Sequence, residues 1–496
     1  MQEIELKLIV PDAAREAVLK ALQPQQRAAP PQPPRTQRLI AAYYDTADRR
    51  LAQAGMALRV RKEGPRWVQT LKAGGPNAMQ RLEHNVPLRV ARGTQPAADP
   101  QRHAGTPAGQ ALADALAPRE GDMTAPELVE LYRTDIQRRS REIAVPGGRL
   151  ELAFDEGWII AGERRVPVCE LEIELLSGNP QAVIDQARHW VQSHGLWLDV
   201  HTKAHRGDHL ARGAEPAPAP ATYPALSPDA TLGAAWLRIH ATLLDTLLDN
   251  ASALSSDRGT AEHVHALRVG LRRLRTTWKL FAPSGLALGE ATQEAAIALF
   301  SQLGPVRDAD TLVALWPQLQ AAGCPNLTLP DTSPGLSAPE LMRTAPVSLL
   351  WLDLLQLTIS PPPASAGQPA HQLVNERLRR WHRHAAKEAK TLDLNDAALH
   401  ALRKRLKRLR DGLELGAAFL PGKAARKHLV ELRRALDALG AFNDLLVAQV
   451  LFQAATEREP RAWFALGWQA ARRPAMLDEA AMALKRWRRA RGFWRG

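Results

Sequence analysis

Residues 3–7 read EIELK, which puts Glu3, Glu5 and Lys7 on one side of an extended segment and Ile4, Leu6 and Leu8 on the other. The alternation returns downstream. Arg59 and Arg61 share a face in MALRVRKEG, Arg81 and Glu83 in QRLEHN, Glu151 and Asp155 in LELAFDEG, and Glu170, Glu172 and Glu174 in CELEIEL. A wetted sheet face usually mixes Thr, Ser and Lys with scattered charge, whereas here arginine pairs and carboxylate pairs occupy separate strands. Carboxylates gathered in this way repel one another unless a hard divalent cation lies among them. Mg2+ or Mn2+ takes a few carboxylates together with water and phosphate oxygens. Arginine and lysine would hold the remaining phosphate charge, arginine through a planar fork that matches two oxygens. Acids, metal and bases together describe a site for a short polyphosphate chain; the alternative is a solvated sheet face. His84, next to Glu83 in an alternating segment, points to the opposite face.

For such side chains to meet, their strands must close around a charged lumen. The segments EIELKLIV, LIAAYYDT, MALRVRKEG, RWVQTLKAG, QRLEHNVPL, RRSREIAV, RLELAFDEG and VCELEIELLSG alternate between turn signals, with helical patterns near Pro11 to Leu22 and Gln181 to His194. The segment 213–229, GAEPAPAPATYPALSPD, reads as an extended Pro/Ala-rich linker that divides the chain into residues 1–212 and 230–496. Beyond it almost everything has helical period.

The chain has 496 residues, and 65 Lys and Arg against 52 Asp and Glu give a formal charge of +13, which points to a polyanionic substrate or partner. Only Cys169 and Cys324 occur, so neither a disulfide framework nor a thiolate zinc site is supported. The first residues enter a charged strand without the basic and apolar regions of a signal peptide. The most apolar stretch, VSLLWLDLLQLTI, is interrupted by Asp353 and too short to span a bilayer. A cytoplasmic protein that does not enter a membrane is expected.

EIELK at the N-terminus, YYDT followed by LRVRK, then TLK, a later Asp-Glu-Gly, ELEIEL and KAHRG together resemble the CYTH family of triphosphate tunnel metalloenzymes, over about the first 212 residues. The resemblance implies an α+β domain built on an antiparallel eight-stranded tunnel barrel. It implies that Glu3, Glu5, Asp155, Glu170 and Glu172 are catalytic or hold divalent metal. It further implies that Lys7, Arg59, Arg61, Lys72, Arg133 and Lys203 grip the phosphate chain, with Lys203 at the last strand. Arg81, Glu83 and Glu174 are further candidates for the lining. YRTDIQRRSR offers several arginines besides Arg133.

The helical half repeats itself. HALRVGLRRLR from His265 resembles HALRKRLKRLR from His400, and LGPVRDAD around Gly304 resembles LGAFNDLL around Gly440, at offsets that agree to within one residue. Duplication of a helical unit follows. In the first copy His265, Arg268, Arg272 and Arg275 form one helix face, beside an apolar stripe of Val264, Leu267, Leu271, Leu274 and Trp278. The second copy sets His400, Arg403, Lys407 and Arg410 beside Leu399, Leu402, Leu406, Leu409 and Leu413. Neighbouring cations at these spacings repel unless an anion relieves them, although a basic solvated helix face is a common alternative. The tail LKRWRRARGFWRG offers Lys485, Arg486 and a stacking Trp487 to a polyanion, or else forms an amphipathic last helix.

These repeats, with Arg273 in the RRLR run and Arg307 in LGPVRDAD, resemble the CHAD family, an all-α duplicated helical bundle that binds inorganic polyphosphate through its basic faces. The second copy departs from the pattern, with Lys407 for an arginine and Asn443 where the first copy has Arg307. Together the resemblances imply an inorganic triphosphatase that uses Mg2+ or Mn2+, yields pyrophosphate and phosphate, and carries a polyphosphate-binding domain. Association with polyphosphate granules would follow. An adenylyl cyclase or a nucleoside or thiamine triphosphatase of the same fold is an alternative, as is a non-catalytic polyphosphate scaffold. Nucleic acid is not the expected partner, and the sequence assigns no oligomeric state.

Overall fold

A computed structural model of the protein describes residues 2–23, 35–89, 94–119, 126–327, 335–360, 364–391, 395–490 and 492–494. Its alternating segments form β1 (Gln2–Ile9), β2 (Arg35–Thr46), β3 (Ala57–Glu63), β4 (Arg66–Asn77), β5 (Gln80–Leu88), β6 (Leu128–Val145), β7 (Gly148–Ala161), β8 (Arg164–Gly178) and the short β9 (Trp197–Leu198). The sheet runs β5-β4-β3-β2-β6-β7-β8-β1-β9, and a further pairing of β1 with β5 closes eight strands into an antiparallel barrel. Closure leaves no long unpaired edge.

This barrel is inverted relative to one with a greasy centre. Leu6 and Leu8 on β1 and Leu171 and Ile173 on β8 are buried, yet their strand neighbours Glu5, Lys7, Glu170 and Glu172 line the lumen. The apolar outer face needs a cover. Part of that cover is the helix Gln181–His194, which buries Val183, Ile184, Ala187, Trp190 and Val191 and packs on β1 and β8. The apolar stretch around Asp353 forms the helix Ala345–Ile359, which packs on Gln181–His194 in turn. Asp353, which interrupts that apolar run, pairs with Arg188 at 2.5 Å.

By its internal contacts the chain forms two compact units: Met1–Ala219 with Leu248–Gly259 and Pro339–Ser360, and Pro220–Leu247 with Thr260–Ala338 and Pro361–Gly496. The first unit thus gathers two helical segments from beyond the Pro/Ala-rich stretch, because the barrel's apolar exterior recruits them. Ala219 in that stretch exchanges backbone hydrogen bonds with the Asn250 side chain, at 3.2 and 2.9 Å.

In the second unit the two basic repeats are the helices Ala261–Phe281 and Asp396–Leu415. Both anticipated apolar stripes are buried, from Val264 through Trp278 and from Leu399 through Leu413. The copies share a packing detail: the first Arg268 guanidinium lies 3.6 Å from where a Cβ on Gly304 would stand, and Arg403 lies 3.7 Å from the equivalent point on Gly440. The helix Gly422–Ala455 is long and apolar enough to cross a bilayer, but it buries Leu432, Leu436, Leu439, Phe442 and Phe452. Trp487 in the last helix, Ala462–Arg489, is also buried, and its indole N–H donates to His428 Nε2 at 3.1 Å. The amphipathic-helix reading of the tail therefore holds for Trp487.

One helix ties the barrel to its lumen chemistry. Lys203–Arg212 starts where the Thr202 side chain accepts the His205 backbone N–H at 3.1 Å, and it ends at Gly213, whose φ of 62° suits the left-handed cap. Midway, Gly207 faces the Tyr132 ring so closely that a Cβ would overlap it. Tyr132 stacks on Tyr43 with centroids 4.8 Å apart and donates its hydroxyl to the Ala204 carbonyl at 3.0 Å. Replacing Gly207 by Ala should therefore displace the helix and destabilise the protein by about 1–3 kcal/mol. Urea denaturation of the two proteins would show the loss; equal midpoints would mean the helix packs more loosely than described.

Candidate active site

The barrel encloses a cavity of about 900 Å3 whose wall carries both signs of charge. Strand register sets the arrangement. Arg138 on β6 stands opposite Asp155 on β7, which stands opposite Glu170 on β8. Lys7 on β1 faces Glu172, and Glu5 faces Glu174, which in turn faces Glu151. On the other side Glu3 is opposite Arg81, and Lys72 is opposite Glu83. Every one of these side chains lines the cavity.

The two acidic groups are compensated very differently. The Lys203 ammonium lies 2.7 Å from Asp155, 2.6 Å from Glu170 and 2.7 Å from Glu172. Arg138 grips Asp155 with two nitrogens at 2.7 and 2.6 Å and also reaches Glu172. Arg206 adds a contact to Glu170 at 2.9 Å, and Lys7 lies 3.8 Å from the same carboxylate. Burial alone would push Glu170 and Glu172 up, but Lys203 first and its neighbours hold both below the ordinary glutamate range. Burial likewise disfavours the Lys203 charge, and Asp155, Glu170 and Glu172 outweigh it, so Lys203 sits above the usual lysine range.

At the Glu3 group the cations are fewer. Lys72 contacts both Glu3 oxygens at 2.7 Å, lies 3.2 Å from Glu83 and is 3.9 Å from Glu5; Arg81 pairs with Glu5 at 3.1 Å. Burial, then Glu5, raises the Glu3 carboxyl to about 8 against the pull of Lys72. Burial, then Glu5, raises Glu174 to about 7. Burial also acts to raise Glu83, but Lys72 and the hydrogen bond from Glu3 outweigh it, so Glu3 keeps the proton that the pair shares. At this group burial and neighbouring like charge outweigh the cations present.

This difference bears on where a cation fits. Ligand oxygens of Asp155, Glu170 and Glu172 lie within 4.8 Å of one another, but the Lys203 ammonium already occupies that focus. Although the carboxylate oxygens that lie within 4.8 Å of one another are those of Asp155, Glu170 and Glu172, Glu3, Glu5, Glu83, Glu151 and Glu174 offer a second all-oxygen donor set whose charge is only partly met. Facing them across the cavity is the basic wall. Arg59 donates to the Tyr43 hydroxyl at 3.3 Å while its buried Nε has no hydrogen-bond partner among the described residues. Arg61 contacts Glu63 at 2.8 Å, and burial and then Arg59 lower its pKa, a penalty that an anion would relieve.

Several site residues stand where the sequence placed them, and two do not. Arg133 lies outside the cavity, half exposed, and pairs with Glu130 at 2.9 Å. It has the wrong parity: Tyr132, Thr134, Ile136 and Arg138 face the lumen, so Arg138 is the tunnel arginine of YRTDIQRRSR. Counting in twos from Tyr132 could have found it. Lys203 sits in the first turn of a helix, not on a strand, because Thr202 caps that helix. Arg206 is not picked out by the sequence although it follows Lys203 at helical spacing, whereas Glu151 lines the cavity on the face it shares with Asp155. His84 lies off the lumen, its Nδ1 2.9 Å from Nδ1 of His103.

In the second unit Arg272 pairs with the buried Asp411 at 2.8 Å, Arg410 with the same aspartate at 3.0 Å, and Arg273 with Glu414 at 2.6 Å. Arg268 and Arg275 lie over the Phe300 ring, 4.4 and 5.4 Å from its centroid. His265 and His400 are exposed, and His400 Nδ1 is 2.8 Å from the Asn443 side-chain oxygen. The side chain of Arg307 lies outside the described residues. Arg403 has a buried Nε without a partner among the described residues. Burial, then Arg403, Arg272 and Arg410, lowers Lys407 to about 7. Cations from both repeats therefore converge on Lys407.

Comparison with known proteins follows the same division. Residues 1–207 match the CYTH domain family and residues 238–453 the CHAD domain family. An inorganic triphosphatase of Haemophilus influenzae is 32% identical over 168 residues, which is 33% of this chain and 44% of that protein, so the match spans less than half of the relative. The crystal structure of a CHAD domain from the plant Ricinus communis is similar at 26% identity and a TM-score of 0.44, covering 54% of this chain and 96% of that one. A Hippeastrum protein whose structure is described as revealing a dominant triphosphatase activity is similar at 19% identity and a TM-score of 0.28, covering 43% of this chain and 96% of that one.

Removing the ammonium from the compensated group tests the ledger of charge directly. Lys203→Met should cost up to about 3–5 kcal/mol of stability, because the buried Asp155 and Glu170 would lose their shared ammonium and keep only Arg138, Arg206 and Lys7 as counter-charges. Added Mg2+ should then restore part of the loss by taking the vacated focus. Chemical denaturation with and without Mg2+ measures both effects, and an unchanged midpoint would contradict the pairing.

Proposed function

Because the chain joins a CYTH domain to a CHAD domain, we propose that it hydrolyses inorganic triphosphate to pyrophosphate and phosphate and holds inorganic polyphosphate on its helical domain. The observation that carries the reading is the facing of a basic wall, with the unpartnered Nε of Arg59, against the proton-retaining carboxyls of Glu3 and Glu174 in one enclosed cavity. The name of the Haemophilus relative supports the choice of substrate.

Arg59 and Arg61 bind the oxygens of the chain, and Arg138 with Lys7 extends the positive wall along it. Lys203 is engaged by three carboxylates, so its main role is to hold the floor of the site in shape. Glu3, Glu5 and Glu174, with Glu83 and Glu151 beside them, would hold Mg2+ or Mn2+. Held there, such an ion would supply charge neutralisation to the phosphate oxygens and a polarised water for in-line attack. Partial removal of the set from bulk water strengthens these contacts. No side-chain nucleophile is required.

On the helical domain a polyanion would meet Arg403, Lys407 and Arg410 together with Arg272. Its phosphates relieve the repulsion that depresses Lys407. Cytoplasmic polyphosphate granules are the setting this domain suits.

With Mg2+ or Mn2+, purified protein should release phosphate faster from tripolyphosphate than from ATP or long-chain polyphosphate; cyclic AMP from ATP would instead favour a cyclase. Glu5→Gln should lower hydrolysis on the order of 100-fold while polyphosphate affinity stays. Turnover that survives this change would refute the metal assignment. A second expectation concerns pH. Lys407 titrates at about 7 in the free protein, and only its protonated form attracts the anion, so polyphosphate affinity should weaken as pH rises through neutrality. Binding titrations on either side of pH ~7 should show that slope, and Lys407→Arg should flatten it.

A further inference from the structure

One donor set on the cavity wall is chemically unlike the carboxylate clusters. Ligand atoms of His201, His205 and Asp249 lie within 4.8 Å of one another. They come from three pieces of the first unit: the stretch after β9, the first turn of Lys203–Arg212, and the helix Leu232–Ser255. His201 Nε2 is 2.9 Å from Asp249 Oδ1. The His205 ring stacks on that of His201, with centroids 4.2 Å apart and planes inclined by 29°. All three side chains line the cavity.

The backbone under this set is held in place. Asp199 accepts the His201 N–H at 2.7 Å, and Thr202 accepts the His205 N–H at 3.1 Å. His201 is buried, whereas the Asp249 side chain is 39% exposed, which leaves an approach for an ion.

We propose that His201, His205 and Asp249 form a transition-metal site of the zinc class, separate from the oxygen-only carboxylates around Glu3. Two imidazoles and one carboxylate suit Zn2+ or Co2+, whereas Mg2+ and Mn2+ prefer oxygen ligands. Three protein ligands leave a position for water or an anion. Ions of this class bind at about 2.0–2.2 Å, so small rotations of the His205 and Asp249 side chains complete the set. The site also has a mechanical reach. The His201 carbonyl accepts a hydrogen bond from Lys7 Nζ, and Lys203 lies two residues further on, so an ion held here would fix the segment that carries Lys203 and anchors the Lys7 side chain. The alternative is a self-satisfied His–Asp pair beside a stacked ring.

The test uses the full chain, stripped with a chelator and then saturated with Mg2+ so that oxygen sites are filled. Titration with Co2+ should produce the visible absorption of a four- or five-coordinate site with nitrogen ligands, saturating at one equivalent and displaced by Zn2+. His205→Gln and Asp249→Asn should each weaken Zn2+ binding at least ~10-fold, while Glu5→Gln should leave the cobalt spectrum as it is. X-ray absorption on the wild-type zinc complex should show scattering from two imidazoles, a readout that requires no variant to fold. The proposal is overturned by a weak six-coordinate spectrum indifferent to His205→Gln, by loss of the spectrum in Glu5→Gln, or by an oxygen-only zinc shell.

Discussion

Compensation of buried charge inside a closed barrel is the constraint on which the rest of the first unit depends. A carboxylate removed from water costs several kcal/mol unless a cation and well-placed hydrogen bonds replace its hydration. Asp155 and Glu170 are fully buried, and they are tolerable only because Lys203, Arg138 and Arg206 meet them at hydrogen-bonding distance. That requirement explains why a capped helix must dock on the barrel. It also explains why Gly207 must leave room for Tyr132: the helix has to come close enough for Lys203 to reach three carboxylates at once. Stability and site geometry are here the same interaction.

The other acidic group is left partly uncompensated, and the contrast gives the cavity a direction. One group has its counter-ions built into the chain and cannot accept another without displacing an ammonium. The group around Glu3 keeps protons that a divalent ion would displace. The proposed phosphate chain would complete the balance from the opposite side, where burial and then Arg59 weigh against the charge of Arg61. In the proposed reading, substrate and metal would each be attracted by a deficit that the fold maintains. Filling every deficit with protein side chains would give a more stable barrel with no affinity for either.

Much of this was legible in the sequence because a strand's period of two is unforgiving. Once EIELK is read as one face in and one face out, the facing of Lys7, Arg59, Arg61, Lys72, Glu83 and Glu172 follows from parity, and a slip of one residue would turn them all outward. Parity also explains the failure at Arg133. A segment with four arginines offers several candidates to a motif match, but only an even number of steps from Tyr132 reaches the lumen, which selects Arg138. The division of the carboxylates into compensated and uncompensated groups was not legible. It depends on which cation reaches which acid, and Lys203 and Arg206 reach theirs from a helix whose docking is decided by Tyr132, far away in sequence. The recruitment of the helix around Asp353 to the first unit was hidden for a similar reason, since an apolar helical pattern does not say which apolar surface it will cover.

The two units arrange their positive charge in opposite ways. The barrel fixes acids and bases on paired strands, so the positions of its charges are set before any ligand arrives and little reorganisation is needed on binding. The helical unit spends part of its positive charge on Asp411 and Glu414, which pins the two repeats to each other. The remaining strain is concentrated on Lys407 and the unpartnered Nε of Arg403. Internal acids therefore do not simply weaken an anion site. They hold cations of two separate helices close together, so that their mutual repulsion could be relieved by the phosphate chain proposed for this unit.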